Sequence, residues 1–218
     1  MSSPASGPTF IVLEGLDGSG TTTQAKLLSA HLADAGTAVF PTFEPTDGPA
    51  GKLIRDVLSG KLYSPDSNEK AVLSEHVLCL LFAADRLDHT REIERERSAG
   101  KTVVCDRYIL SSLAYQTIDP SISPERVIEV NRGCAVPDLT ILLRVPVEEC
   151  LRRLRQRRET QTVYEQRSTL EAIEANYQRM LVPYRGHFGP VMTLDGTGGP
   201  ETILEEIISA IERMKSRG

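Results

Sequence analysis

The chain has no tryptophan, only 5% aromatic residues, and no excess of basic charge: 25 Lys and Arg stand against 30 Asp and Glu, for a net charge of −5. Neutralising the phosphates of a nucleic-acid polymer needs a basic face, so a polymer partner is not expected. Cys79, Cys105, Cys134 and Cys150 include no CxxC pair, which leaves neither a zinc site nor a disulfide framework to be read, and reduced thiols are the expectation. Long apolar runs are missing too. The longest, Val77 to Ala84, falls far short of the roughly 20 residues that span a bilayer, so no membrane association is expected. Met1 to Pro8 is rich in Ser, Pro and Gly, without the basic and apolar regions of an export signal. A cytoplasmic protein with a frayed, disordered N-terminus is expected.

What is present is an ordinary globular composition, 40% hydrophobic and 25% charged over 218 residues, enough for one sizeable core and one domain spanning 1–218. Short apolar runs alternate with helical patterns. Thr9–Leu13, Val39–Phe43, Lys101–Cys105, Leu139–Val145 and Val191–Leu194 read as five strands. Between and after them, helical spacing marks Thr22–Ala35, a short segment ending near Gly60, Pro124–Arg132, Val147–Arg158, Leu170–Met180 and Pro200–Lys215. Glu69–Ala99 is periodic for longer than an ordinary helix and predicts two helices or one bent one. Alternation of this kind predicts an α/β fold, a five-stranded parallel sheet flanked by helices.

The first strand runs into Gly15-Leu16-Asp17-Gly18-Ser19-Gly20-Thr21-Thr22. This is the frame GxxxxGK[ST] of a phosphate-binding P-loop, with Thr21 where the lysine belongs. Strand before, helix after and three glycines are what an anion site at a helix N-terminus requires. The plainer reading is a tight strand-to-helix turn. The absent lysine removes a charge-assisted bond of about 1.5–3 kcal/mol, which slows transfer roughly tenfold to more than a hundredfold unless another cation replaces it. Lys26 lies too far into the helix to do so.

Phe10 to Lys26 (FIVLEGLDGSGTTTQAK) resembles the opening of thymidylate kinases, including Glu14, Asp17 and Gln24. The similarity continues through Glu44-Pro45 and the following Gly-Lys-Leu-Ile-Arg, Leu81–Arg86 (LFAADR), Asp106-Arg107-Tyr108 and Pro137–Leu143 (PDLTILL), so it covers nearly the whole chain. It implies a P-loop nucleoside-monophosphate-kinase-like fold with a short mobile lid at 152–165, transfer of the γ-phosphate of ATP to dTMP with Mg²⁺, and a homodimer formed through Lys52–Leu58 and Glu69–Ala84.

The resemblance also assigns residues. Gly15, Asp17, Gly18, Ser19, Gly20, Thr21, Thr22 and Thr23 would surround the ATP phosphates, with Thr22, Asp106 and Glu165 toward the metal. Arg86 and Arg107 would grip the acceptor phosphate, as paired guanidinium hydrogen bonds suit. Asp17 and Glu44 would lie on the acceptor side, Phe82 would stack on the base, and Ser111, Ser112, Tyr115 and Gln116 would recognise base and sugar. Each has a plainer reading: Asx turn for Asp17, helix cap for Glu44, core packing for Phe82, surface charge for Arg86 and Glu165. A basic run, Arg152 to Arg158, usually marks a solvated helix face. Here it stands where the family's lid lies, and Arg153, Arg155 and Arg157 are the candidates to replace the missing lysine. Asp195–Gly199 would form the adenine-side loop. Two rival readings stay open: a kinase for another nucleotide, since Ser112 stands where relatives vary, and a degenerate nucleotide-binding regulator, since Thr21 replaces the lysine.

Overall fold

The structure, a computed structural model, describes residues 9–62, 73–156 and 163–215, with the backbone alone at 163–166 and 215. The expected frayed terminus at 1–8, the tip of the expected lid and Arg157 lie outside the described residues.

Five strands form one parallel sheet: β1 (Phe10–Gly15), β2 (Val39–Phe43), β3 (Thr102–Asp106), β4 (Leu139–Arg144) and β5 (Val191–Asp195), in the spatial order β2-β3-β1-β4-β5. The three inner strands are apolar without alternation because both of their faces are covered. In β1, Phe10 and Val12 enter one core with Val103, Cys105 and Leu113, while Ile11 and Leu13 enter the other with Leu28, Ile141 and Ile207. Edge strands β2 and β5 are half-exposed instead.

The helices are α1 (Thr21–Asp34), α2 (Pro49–Leu58), α3 (Glu75–Ser98), α4 (Ile109–Gln116), α5 (Pro124–Val130), α6 (Val147–Gln156), α7 (Val163–Met180) and α8 (Pro200–Lys215). On one face, α1 and α8 close the sheet, with Ile203, Ile207 and Ile211 inward as the spacing of α8 predicts. Each such fully buried aliphatic chain contributes about 1.5–3 kcal/mol.

Two expectations change. The long periodic segment is one helix from Glu75 to Ser98, begun by Ser74, whose hydroxyl accepts from the Val77 N–H. The stretch 69–72 lies outside the described residues. Its inward stripe mixes Leu78, Ala83 and Ile93 with buried Asp85, Arg86 and His89, so the helix both packs and carries polar groups inward. Helix α4 was not foreseen, because ILSSLAYQ is short and carries two serines of weak helix preference.

All loops that matter leave the carboxyl ends of the strands, where open parallel sheets collect their ligands. The glycine loop follows β1, Glu44 follows β2, Arg107 follows β3, α6 follows β4 and the Gly196 turn follows β5.

Candidate functional site

Helix α1 begins at Gly20, whose backbone is left-handed (φ 100°), with no side-chain cap and no acidic residue in the first turn. Its first N–H groups and the positive end of its dipole are therefore left for an anion. A left-handed Gly18 (φ 83°) precedes it, and a Cβ there would stand 2.7 Å from the Cys150 carbonyl, so the loop is seated against α6. Thr21, in the lysine position, is only 4% exposed. The Thr22 hydroxyl donates to Asp106 Oδ2 at 2.5 Å. Asp106 Oδ1 is buried without a protein partner, as is Ser19 Oγ.

Arg107 follows β3 in a left-handed backbone (φ 68°), a region in which a non-glycine residue is held only by its surroundings. Its N–H donates to Leu13 O at 2.8 Å. Its guanidinium donates to Asp17 Oδ1 at 2.6 Å and to Tyr115 Oη at 2.9 Å, and lies 5.2 Å over the Tyr115 ring. The structure thus brings Arg107, Asp17, Tyr115 and Ser111 together beside the glycine loop, with the Asp17 side chain half-exposed.

Beneath them lies Glu14, fully buried and given no role by the sequence reading. Its carboxylate accepts from the N–H groups of Tyr108 and Ser111, from the Ser111 hydroxyl and from Tyr177 Oη at 3.1 Å. Burial nevertheless pushes its pKa up to about 7, against the downward pull of Ser111 and Arg107. The signal that could have exposed it is a glutamate closing an otherwise apolar strand.

Arg86 is bound into the protein by its whole guanidinium. It is 1% exposed, and Nε, Nη1 and Nη2 donate to Glu44 Oε2 (2.7 Å), Asn131 Oδ1 (2.5 Å) and Ser112 Oγ (2.8 Å). Its fork bonds protein acceptors and forms a polar floor, and the expected grip on an acceptor phosphate is not among these contacts. Glu44 pairs with Arg86 and with His89 Nδ1 at 3.0 Å, and the plainer reading of it as a helix cap does not hold, since the cap of α2 is Gly48. An inward charge of this kind persists only when paired, since removing one partner typically costs about 3–5 kcal/mol.

Gln116 lies one helical turn after Ser112, 4% exposed, with neither its Nε2 nor its Oε1 partnered by protein. Phe82 is half-buried one turn before Arg86 on α3.

The α6 arginines separate. Arg153 donates from Nε to Glu149 Oε1 (2.7 Å), from Nη1 to Ser19 O (3.2 Å) and from Nη2 to Gly196 O (3.0 Å). It therefore braces the carbonyl side of the glycine loop against the turn after β5. Arg152 and Arg153 together hold Glu149 down at a pKa of about 2. Arg155 is exposed in the last turn of α6. Arg157 and the Glu165 side chain lie outside the described residues.

Among the described residues no cluster of three His, Cys, Asp or Glu gathers, and no helix is long and apolar enough to cross a membrane. Residues 13–207 match the family model described as thymidylate kinase. A probable thymidylate kinase of Thermococcus kodakarensis is 39% identical over 94% of this chain and 98% of its own length. One from Pyrococcus horikoshii is 48% identical over 68% and 70%, and a thymidylate kinase of Desulfotalea psychrophila 37% over 85% and 88%.

Proposed function

The chain belongs to the thymidylate kinase family, and from that membership we propose how its residues transfer the γ-phosphate of ATP to dTMP, giving dTDP and ADP. The observation that carries the acceptor reading is Gln116. A buried amide with donor and acceptor both unpaired costs about 1–3 kcal/mol per group, and thymine offers its N3–H as donor to Oε1 and its O4 as acceptor from Nε2. Phe82 supplies an aromatic face for the ring, and Ser112 with the Arg86 floor fixes the depth of the base. Arg107 is the phosphate-binding cation, exchanging its bond to the half-exposed Asp17 for the acceptor phosphate while Tyr115 orients it.

The donor side is the N-terminus of α1. Backbone N–H groups from Gly15 to Thr23 receive the ATP phosphates, and Arg153 holds the loop to the Gly196 turn on the adenine side. The orphaned Asp106 Oδ1 and the Thr22 hydroxyl beside it suit Mg²⁺, which takes few protein ligands and keeps waters and phosphate oxygens. Bound there, Mg²⁺ would neutralise charge on the β- and γ-phosphates. Asp106 and Thr22 orient its shell, with Glu165 as a further candidate. Arg155 and Arg157 bring the positive charge that Thr21 does not, from the 152–165 lid, and exclude water as they close. Residues 1–218 act as one kinase domain, cytoplasmic in accord with its four free cysteines.

Release of ADP measured with dTMP, dUMP and dCMP tests the reading. Turnover is expected to be fastest with dTMP, and Gln116→Leu is expected to lower kcat/KM for dTMP at least tenfold. A preference for dCMP would transfer the reading to another nucleotide kinase, and no ADP with any acceptor to a regulatory protein.

A further inference from the structure

Tyr177, on α7, is buried, and its hydroxyl meets three groups on two other parts of the fold: Gly15 O at 3.1 Å, Glu14 Oε2 at 3.1 Å and Ser111 Oγ at 3.0 Å. The Ser111 hydroxyl is already donated to Glu14 Oε2. The single phenolic proton therefore has the Gly15 carbonyl on one side and the Glu14–Ser111 pair on the other, and can serve only one at a time. Gly15 opens the phosphate loop. Ser111 lies on the first turn of α4, 3.5 Å from Arg107 Nη1. Burial is complete around the hydroxyl, and α7 is fixed to α4 next door, where Asn176 Nδ2 donates to Ala114 O at 2.9 Å. The Tyr177 and Tyr115 rings meet edge to face at 6.4 Å. A contiguous chain thus runs from Gly15 O through Tyr177 Oη and Ser111 Oγ to Arg107, and it holds one donor with two alternative acceptors, the discrete element that coupling between sites requires.

We infer that Tyr177 is a positioning residue that couples the two substrate sites, so that a nucleoside triphosphate on the phosphate loop strengthens binding of the nucleoside monophosphate at Arg107. The inference rests on the assignment of dTMP as acceptor. When triphosphate oxygens draw the loop N–H groups, the Gly15 peptide is polarised and its carbonyl becomes the better acceptor for Tyr177. Ser111 Oγ, its own proton still on Glu14, then loses the phenol as a donor, and the freed lone pair accepts from Arg107 Nη1 instead, drawing the guanidinium into place for the acceptor phosphate. Coupling is reciprocal, so dTMP strengthens triphosphate binding by the same factor.

The test is calorimetric titration of dTMP into the protein alone and into the protein saturated with a non-hydrolysable ATP analogue and Mg²⁺. The parent is expected to bind dTMP about fivefold or more tightly in the second case. Tyr177→Phe keeps the ring, leaves dTMP affinity in the absence of the analogue within about twofold, and brings the ratio near one. Ser111→Ala cuts the same chain at its next link and is expected to bring the ratio near one as well, which decides the matter should Tyr177→Phe fail to fold. A ratio in these variants equal to that of the parent, or a parent ratio of one, overturns the inference. A parent that does not bind dTMP in either case overturns the acceptor assignment beneath it, a distinguishable result.

Discussion

Glu14 shows how far burial outweighs hydrogen bonding at a single residue. Four donors favour its anion, yet full desolvation lifts its pKa from 4.5 to about 7. In the folded chain the carboxyl thus keeps its proton to near neutrality, while in the unfolded chain it loses it near 4.5. The folded state binds the extra proton between those values. Its contribution to stability is complete below pH 4.5 and is lost as pH rises through 7, a change of about 3 kcal/mol. Urea denaturation at pH 4.5, 6 and 7.5 should show this decline in the parent, and Glu14→Gln should remove it while leaving the contributions of other groups in place. Arg86 teaches a related point. Its place in LFAADR was readable from the sequence, but its role was not, because nothing in a linear pattern shows that Glu44, Asn131 and Ser112 converge on one guanidinium.

Among the elements, those with a strong period were legible and those made by context were not. All five strands and α8 follow from apolar runs and helical spacing, since both faces of the sheet are covered. Helix α4 escaped because its eight residues carry no clear stripe, and its start is set from outside by Glu14, which accepts the Tyr108 and Ser111 N–H groups. The basic stretch after β4 was legible as charge and not as direction. It lies on a helix whose turns send Arg153 inward to the glycine-loop carbonyls and leave Arg155 outward. Separate replacement of Arg155 and Arg157 by alanine is expected to lower kcat about tenfold or more for at least one of them, with the KM for dTMP within about twofold. Initial-rate kinetics with both substrates varied checks this, and two variants that turn over like the parent would send the search for the missing charge elsewhere.

At the scale of the whole molecule, exposed apolar side chains recur on two helices that pack against each other, α2 and α3. Val77, Leu80 and Leu87 lie 40%, 49% and 40% exposed along α3, next to exposed Leu53 and Leu58 on α2. Exposed apolar side chains on neighbouring helices suit an association face, which supports the homodimer proposed from the family pattern through these two helices. Sedimentation of the parent should give twice the 24.0 kDa chain mass, and Leu80→Glu should give the monomer.

Of the five buried side-chain atoms without a protein partner among the described residues, four belong to Ser19, Asp106 and Gln116. At Ser19 and Gln116, exchange of the polar group for an apolar one is expected to tighten the fold, whereas at Asp106 it would also strand the Thr22 hydroxyl. The same exchange deletes a proposed point of contact with nucleotide or metal. A selection for heat resistance alone, run without a demand for turnover, would be drawn to these positions first and would yield durable proteins with no trade left to practise.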